Sequence, residues 1–443
     1  MSDRAQEFLI ALDARREATL NDCTRCGKCV EVCPMPGPAG IDASDPKAVV
    51  SGVIDIIRTG AGPEISAKWA SVCTGSGHCI PACPEGVNPR FMLALARIAL
   101  IRDDGVDATR EASSKRFRQM GRGVRVLSRL QLPPELLLKL GQIRAGADDD
   151  VSAGPPDVIF YTGCNVLKTP HIVLLCLDIM DALGVDYRVH GGPSYCCGVY
   201  QFAAGDTEGF AKMSTNTVER FADSGAGEVV SWCPSCQVHL GEAALGTYAH
   251  MESGAPFDLN PFVRYLESRL DDLRPLMTNR VEKRVGLHEH PGVPGITEAA
   301  RAILEAIPGL EFVDLEQPRL GYMCNALNSV PEYKRAVHFD QLAAAEAAGV
   351  TTLAGIYHAC HRELCSHERD WPFEVINFME LVGESMGLER PDLFKRLKIM
   401  QDVDAVIAES HDMIAAHGLD LDDVRAVVLQ DMLGEQPLPL GHG

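Results

Sequence analysis

No stretch of this chain approaches the roughly 18 consecutive apolar residues that cross a bilayer, so no membrane-spanning helix is expected. The N-terminus, MSDRAQEFLIALDARRE, lacks a basic run followed by an apolar core, so a secretory leader is not expected either. Basic charge is in short supply. Lys and Arg number 41 against 61 Asp and Glu, giving a net charge of −20 and a pI near 5.1. That balance excludes general nucleic-acid binding. Gly60 and Gly62 have neither a preceding strand nor the full G-x-G-x-x-G spacing, so no FAD or NAD site is expected. What the chain does have is cysteine, 16 in 443 residues. A short secreted protein would use them in disulfides. A chain this long without a leader is expected to hold them in a reducing compartment as metal ligands. The expected location is cytoplasmic, with a peripheral contact on the inner face of the membrane left open. The length predicts two or three domains.

The cysteines from 164 to 236 organise the rest. YTGC, GGPSYCCG and WCPSC place thiols at Cys164, Cys196, Cys197, Cys233 and Cys236, spaced C-x31-CC-x35-CxxC. Five thiols exceed the four ligands of a tetrahedral zinc site. The adjacent pair Cys196 and Cys197 is poor disulfide material, because bonding neighbours strains the bridge. A cluster with more than one iron could use five thiolates, one of them bridging. The three cysteine groups and both gaps resemble the CCG proteins related to the catalytic subunit of heterodisulfide reductase. The resemblance implies that these five residues hold a non-cubane 4Fe–4S cluster.

Upstream, CTRCGKCVEVCP sets Cys23, Cys26, Cys29 and Cys33 before Pro34. This is the C-x2-C-x2-C-x3-C-P run of bacterial-type ferredoxins, in which three thiolates grip one cluster and the fourth ligates its neighbour. The partner run, VCTGSGHCIPACP, supplies Cys73, Cys79 and Cys83, with Ser76 where a cysteine would stand. Crossed ligation gives Cys23, Cys26, Cys29 and Cys83 to a 4Fe–4S cluster. It leaves only Cys33, Cys73 and Cys79 for the second. A cubane with three thiolates can lose its unligated iron and persist as 3Fe–4S; the alternative is a 4Fe–4S cluster completed by Ser76 or an outside group. The second run resembles the iron–sulfur subunit of succinate dehydrogenase and fumarate reductase, where this spacing accompanies a 3Fe–4S centre. A helical pattern at 46–58 between the runs, and PRFMLALARIALIR after them, point to an α-helical ferredoxin domain.

Residues 110–147 reverse the overall charge, with nine basic side chains against Glu111 and Glu135, a net +7. Leucines 127, 130, 136, 137, 138 and 140 interleave with them. Such a segment either lies on a membrane surface or acidic partner or packs across the protein's own acidic parts. From 157 onward strands and helices alternate, which predicts a largely parallel sheet with ligands at its strand ends. Cys176, inside an apolar helix, reads as core. The pattern then repeats: RVGLHEHPG follows DVIFYTGC, YMCNA follows YCCGV, and GIYHACHRELC follows EVVSWCPSC. Cys324 aligns with Cys197 and Cys360 with Cys233, while Met323 replaces Cys196 and Glu363 replaces Cys236. A second five-thiolate cluster is therefore not expected. Cys324, Cys360 and Cys365, with His288 and the nearby His290, His358 and His361, could hold one ion such as zinc, or the half could be a relic kept for folding.

The expected fold is α+α/β: an α-helical ferredoxin domain followed by two Rossmann-like α/β CCG repeats. The boundaries read 1–105 for the ferredoxin-like domain, 106–156 for the basic linker, 157–280 and 281–385 for the two repeats, and 386–443 for a helical tail without legible chemistry. The combination resembles the fused heterodisulfide reductase subunit and the iron–sulfur subunits of glycerol-3-phosphate and glycolate oxidation. It implies an oxidoreductase subunit relaying electrons between a flavoprotein or other redox partner and a quinone or thiol/disulfide acceptor. The alternatives are a disulfide reductase acting at the non-cubane cluster and a redox sensor or scaffold. No catalytic residue is nominated.

Overall fold

Eight strands among the described residues divide into two four-stranded sheets built on one plan. The computed structural model describes residues 2–101, 105–141 and 154–441; Arg144 and the acidic run Asp148–Asp150 lie outside the described residues. β1 (Val158–Gly163), β2 (Tyr187–Gly191), β3 (Glu228–Ser231) and β4 (Leu259–Pro261) pair in parallel in the order β2-β1-β3-β4. β5 (Arg284–His288), β6 (Glu311–Val313), β7 (Thr352–Gly355) and β8 (Glu374–Asn377) pair in parallel in the order β6-β5-β7-β8. The sequence repeat is thus a repeat of topology. β1 and β7 are buried along their whole length, because helices cover both faces of a parallel sheet. Val158 pairs with both Tyr187 and Glu228, so the C-terminal ends of β1, β2 and β3 finish side by side.

Ahead of the sheets the chain is helical. Ser2 caps the helix Asp3–Asp22. Asp45 caps Pro46–Thr59 and Asn88 caps Pro89–Leu100, each opening on the proline whose fixed φ suits a first turn. This region packs on the first sheet's helices through Phe8, whose ring lies 5.6 Å from Phe210 and 5.7 Å from Tyr248.

The basic segment forms the 26-residue helix Val106–Gln131 and the short helix Pro134–Lys139. Met120, Val124, Leu127, Leu130 and Leu137 are buried against the protein itself. Arg122 and Arg125 both reach Asp423, at 2.7 and 2.9 Å, and Lys139 reaches Asp181 at 3.1 Å. Much of the apolar stripe that could have faced a membrane is therefore core. Gly123 sits where any side chain would run into the Asp431 carboxylate, which itself pairs with buried Lys168 at 2.9 Å. The tail is a series of short helices between Leu393 and Leu433, and its Phe394, Val424 and Val428 pack on Val126, Leu127 and Leu130.

Candidate metal centres

The two cysteine runs meet as two groups of thiols. Cys23, Cys26, Cys29 and Cys83 line one cavity, and Cys33, Cys73 and Cys79 line another. The turn between Cys23 and Cys29 needs left-handed backbone at Arg25 (φ 56°) and Gly27 (φ 85°), which starts the short helix Lys28–Glu31 and aims Cys29 inward. Burial pushes the Cys29 thiol up to about 12, and Cys23 and Cys26 beside it push the same way. Burial likewise raises Cys79 to about 12, with Cys73, Cys33 and Cys29 adding to it. Crowded thiols resist becoming anions unless a cation joins them, so both groups suit a positively charged iron core. Ser76 lines the second cavity, but its hydroxyl is engaged. It accepts the Gly321 N–H at 2.8 Å and shares a hydrogen bond with Thr74 Oγ1 at 3.1 Å. Trp69 Nε1–H donates to Cys33 Sγ at 3.4 Å.

The third group lies at the ends of β1, β2 and β3, where a parallel sheet collects its ligands. Cys164 follows β1, Cys196 and Cys197 follow the turn after β2, and Cys233 and Cys236 follow β3; all five are buried. Gly163 (φ +77°) makes the approach possible, since a Cβ there would lie 2.6 Å from Cys233 Cβ and 3.3 Å from Cys236 Sγ. Burial pushes Cys164 and Cys236 up. Hydrogen bonds from Cys196 to Cys197 and from Cys236 to Cys233 hold the two acceptors well below the ordinary thiol range. A metal ligand needs its thiol as the thiolate, and these contacts favour that form at Cys197 and Cys233. His239 faces Cys197 and His358 faces Cys233. Cys176 is fully buried core, as its apolar helix implies.

In the second repeat the geometry departs from the sequence reading. His288, His290, Cys324 and Cys360 bring one ligand atom each to within 4.8 Å of the others. His288 Nε2 lies 3.1 Å from Cys324 Sγ, and His290 Nε2 lies 3.6 Å from it. His290 Nδ1 donates to Leu320 O at 2.5 Å, which fixes the tautomer that leaves Nε2 free to ligate. Two imidazoles and two thiols fit a closed tetrahedral zinc site. Cys365 is not part of it: it sits in the core of the C-terminal helices with Phe394 and Leu397. The proximity of Cys365 to Cys360 in sequence misleads because the helix His358–Leu364 ends between them. Glu363, at the position of the missing fifth thiol, pairs with buried Lys334 at 2.7 Å.

The family profile named CCG, the cysteine-rich domain, matches residues 158–241, the span of the five-thiol site. Residues 158–241 thus match the CCG cysteine-rich domain, and the chain is similar to heterodisulfide reductase subunits. It is 22% identical over 416 residues to a dihydromethanophenazine:CoB–CoM heterodisulfide reductase subunit of Methanosarcina mazei, covering 84% of this chain and 95% of that protein. The corresponding subunit of Methanosarcina acetivorans is 22% identical over 404 residues, 83% of this chain and 94% of that one. A fumarate reductase (CoM/CoB) subunit of Methanothermobacter marburgensis is 25% identical over 331 residues, 71% of this chain and 60% of that protein. An iron–sulfur oxidoreductase component is the common denominator. CCG architecture, helical N-terminal region and paired parallel sheets agree in one chain.

Proposed function

We propose that the protein relays electrons through three iron–sulfur clusters, between a flavoprotein or similar redox subunit and a quinone or thiol/disulfide acceptor. Cys23, Cys26, Cys29 and Cys83 would hold a 4Fe–4S cluster, and Cys33, Cys73 and Cys79 a 3Fe–4S cluster. The five CCG cysteines would hold the non-cubane 4Fe–4S cluster, and His288, His290, Cys324 and Cys360 a zinc ion. The clusters supply one-electron chemistry; the chain supplies spacing, burial and hydrogen bonds. One observation carries the reading: members of all three thiol groups lie in one packed core. Cys29 lies close enough to Cys79 to raise its cost of ionisation. From the second cavity, the Tyr322 ring packs on Gly75, where a Cβ would sit 2.5 Å from it. The Tyr322 hydroxyl bonds to Ser235, beside the Cys233–Cys236 turn, and feels the Cys233 thiolate. The Ser76 hydroxyl, already bonded to Gly321 and Thr74, has little capacity left for a fourth iron.

The second reading is a disulfide reductase, and the match over 95% of the Methanosarcina mazei heterodisulfide reductase chain favours it. Against it stands the second repeat, which groups Cys324 and Cys360 with His288 and His290 and has Met323 and Glu363 where two further thiols would stand. Turnover of the isolated chain with a reduced viologen dye and a disulfide separates the two. A relay cleaves no S–S bond without its partner, and partner-free cleavage would overturn it. Partner or membrane contact through 110–147 rests on the side chains that remain exposed there, among them Lys115, Arg116 and Arg118.

A further inference from the structure

A fourth cluster of ligating side chains lies outside every cysteine motif. His171, His361, Glu380 and Asp392 each offer one atom within 4.8 Å of the other three. They come from four helical segments: His171 from Pro170–Ala182 of the first repeat, His361 from His358–Leu364 of the second, Glu380 from Phe378–Met386, and Asp392 from the cap of Leu393–Ile399. Both histidines are at most 2% exposed. His171 Nδ1 and Nε2 and His361 Nδ1 have no hydrogen-bond partner, an expensive state for buried polar atoms. His171 nevertheless points at the carboxylates, with Nδ1 3.5 Å from Asp392 Oδ1 and Nε2 3.6 Å from Glu380 Oε1. Those separations exceed a hydrogen bond. Either one matches the edge of about 3.4 Å in a tetrahedron whose ligands stand about 2.1 Å from a central ion, with a single ring nitrogen of His171 as the ligand. His361 Nε2 meets Asp392 Oδ2 at 2.6 Å and would have to yield to a metal.

Charge points the same way. Two half-buried carboxylates face the two imidazoles, and the neighbouring Lys395 is shared with Glu368 at 2.8 Å. Arg390, at the same cleft, is committed to Asp178. Glu380, Asp392 and Lys395 line an open cleft, so an ion has a route in.

We infer that His171, His361, Glu380 and Asp392 form a binding site for a divalent transition-metal ion, zinc or manganese, that clips the first repeat to the second and to the C-terminal helices. Imidazole with carboxylate suits either ion, whereas the thiolate sites disfavour manganese. The test uses Mn2+ as probe and full-length, cluster-loaded protein. Bound metal is first removed with EDTA under anaerobic conditions, and Mn2+ is then titrated while free ion is followed by its six-line EPR signal. Glu380→Gln keeps the acceptor for Asn377 N, and Asp392→Asn keeps the cap on Lys395 N, so neither removes a helix start. Wild type should take up about one equivalent, and each variant should bind at least about tenfold more weakly with iron content unchanged. Zinc plus manganese in protein as purified should fall by about one equivalent in the double variant. A histidine–carboxylate network that holds no ion would show no Mn2+ uptake in wild type and equal zinc plus manganese in wild type and variant, and either result overturns the assignment. Should the double variant lose iron, the two single variants decide, because each preserves its helix cap.

Discussion

Changing Ser76 to cysteine should turn the second ferredoxin-like centre from 3Fe–4S into 4Fe–4S. Ser76 lines the same cavity as Cys33, Cys73 and Cys79, so a thiol there stands where the fourth ligand belongs. Four, three and four irons predict about eleven per wild-type chain, rising to about twelve in the variant. The EPR signal of an oxidised 3Fe–4S cluster should vanish from the variant, and a signal from a reduced 4Fe–4S cluster should replace it. The exchange also removes a structural hydrogen bond. Ser76 Oγ accepts the buried Gly321 N–H at 2.8 Å, and a thiol is a weak acceptor. Leaving that donor unsatisfied costs about 1–3 kcal/mol. Ser76→Ala isolates this cost: it should lower stability by that amount and keep the 3Fe–4S signal. Iron quantification, EPR and thermal unfolding on the same anaerobic samples give all three readings. An unchanged iron count and signal in Ser76→Cys would rule out this ligand set, as would wild-type protein without the 3Fe–4S signal.

Cys197→Ser or Cys233→Ser should remove about four irons and stop electron transfer through the CCG site, read by iron analysis and partner-dependent turnover. Cys324→Ala should leave iron unchanged and lower zinc by about one equivalent, whereas Cys365→Ala should leave both unchanged; zinc analysis that reversed this order would dissolve the Cys2His2 assignment. Reversing Arg122 and Arg125 to Glu should cost about 1–2 kcal/mol by repelling Asp423, and Asp423→Lys should recover part of it in a double-mutant cycle. Against burial, which pushes it up, Arg362 and Lys168 hold the Glu435 carboxyl down to about 2. A depressed carboxyl contributes stability that is present above its unfolded value of about 4.5 and lost as pH falls toward 2. Glu435→Gln should therefore cost about 3 kcal/mol at neutral pH and progressively less in acid, and a pH-independent difference would contradict the pairing.

Sequence pattern reached the elements whose burial leaves a long or doubled signal. The alternation of strands and helices from 157 onward, the helices at Pro46–Thr59 and Pro89–Leu100, and the repeat itself were all legible. β4 and β6 were not, because strands of three residues carry no period. The thiol groupings were legible because ferredoxin and CCG spacings fix which strand end or turn each cysteine occupies. The Cys2His2 group was legible only in part. His288 and His290 stand at and just after the end of β5, as Cys164 follows β1, so the strand-end rule reaches them; the step shared with the first repeat picks out Cys360, but no spacing excludes Cys365. The His171, His361, Glu380 and Asp392 cluster was invisible for a further reason. Its members are scattered over more than two hundred positions and converge only when the tail folds back on both repeats.

Arg90 shows why one chain, and not three loosely joined modules, suits a relay. Its guanidinium is 4% exposed and touches all three parts. One nitrogen donates to Gly75 O at 2.6 Å in the second ferredoxin-like cavity and to Gly292 O at 2.7 Å in the second repeat. Nε donates to Glu242 Oε2 at 3.0 Å, on the helix that follows the CCG turn of the first repeat. A buried cation is costly unless its donors are satisfied, and breaking such a set leaves the charge stranded, so the three parts cannot drift apart independently. Lysine could not reproduce the set, because the guanidinium makes four bonds from three nitrogens of one plane, whereas an ammonium has three N–H groups on a single nitrogen. Fixing Gly75 against Gly292 and Glu242 also fixes Tyr322, which packs on Gly75 and bonds to Ser235 beside Cys233. The separation between the second and third thiol groups is thus set by a packed core and one satisfied charge, which is what transfer between fixed centres demands.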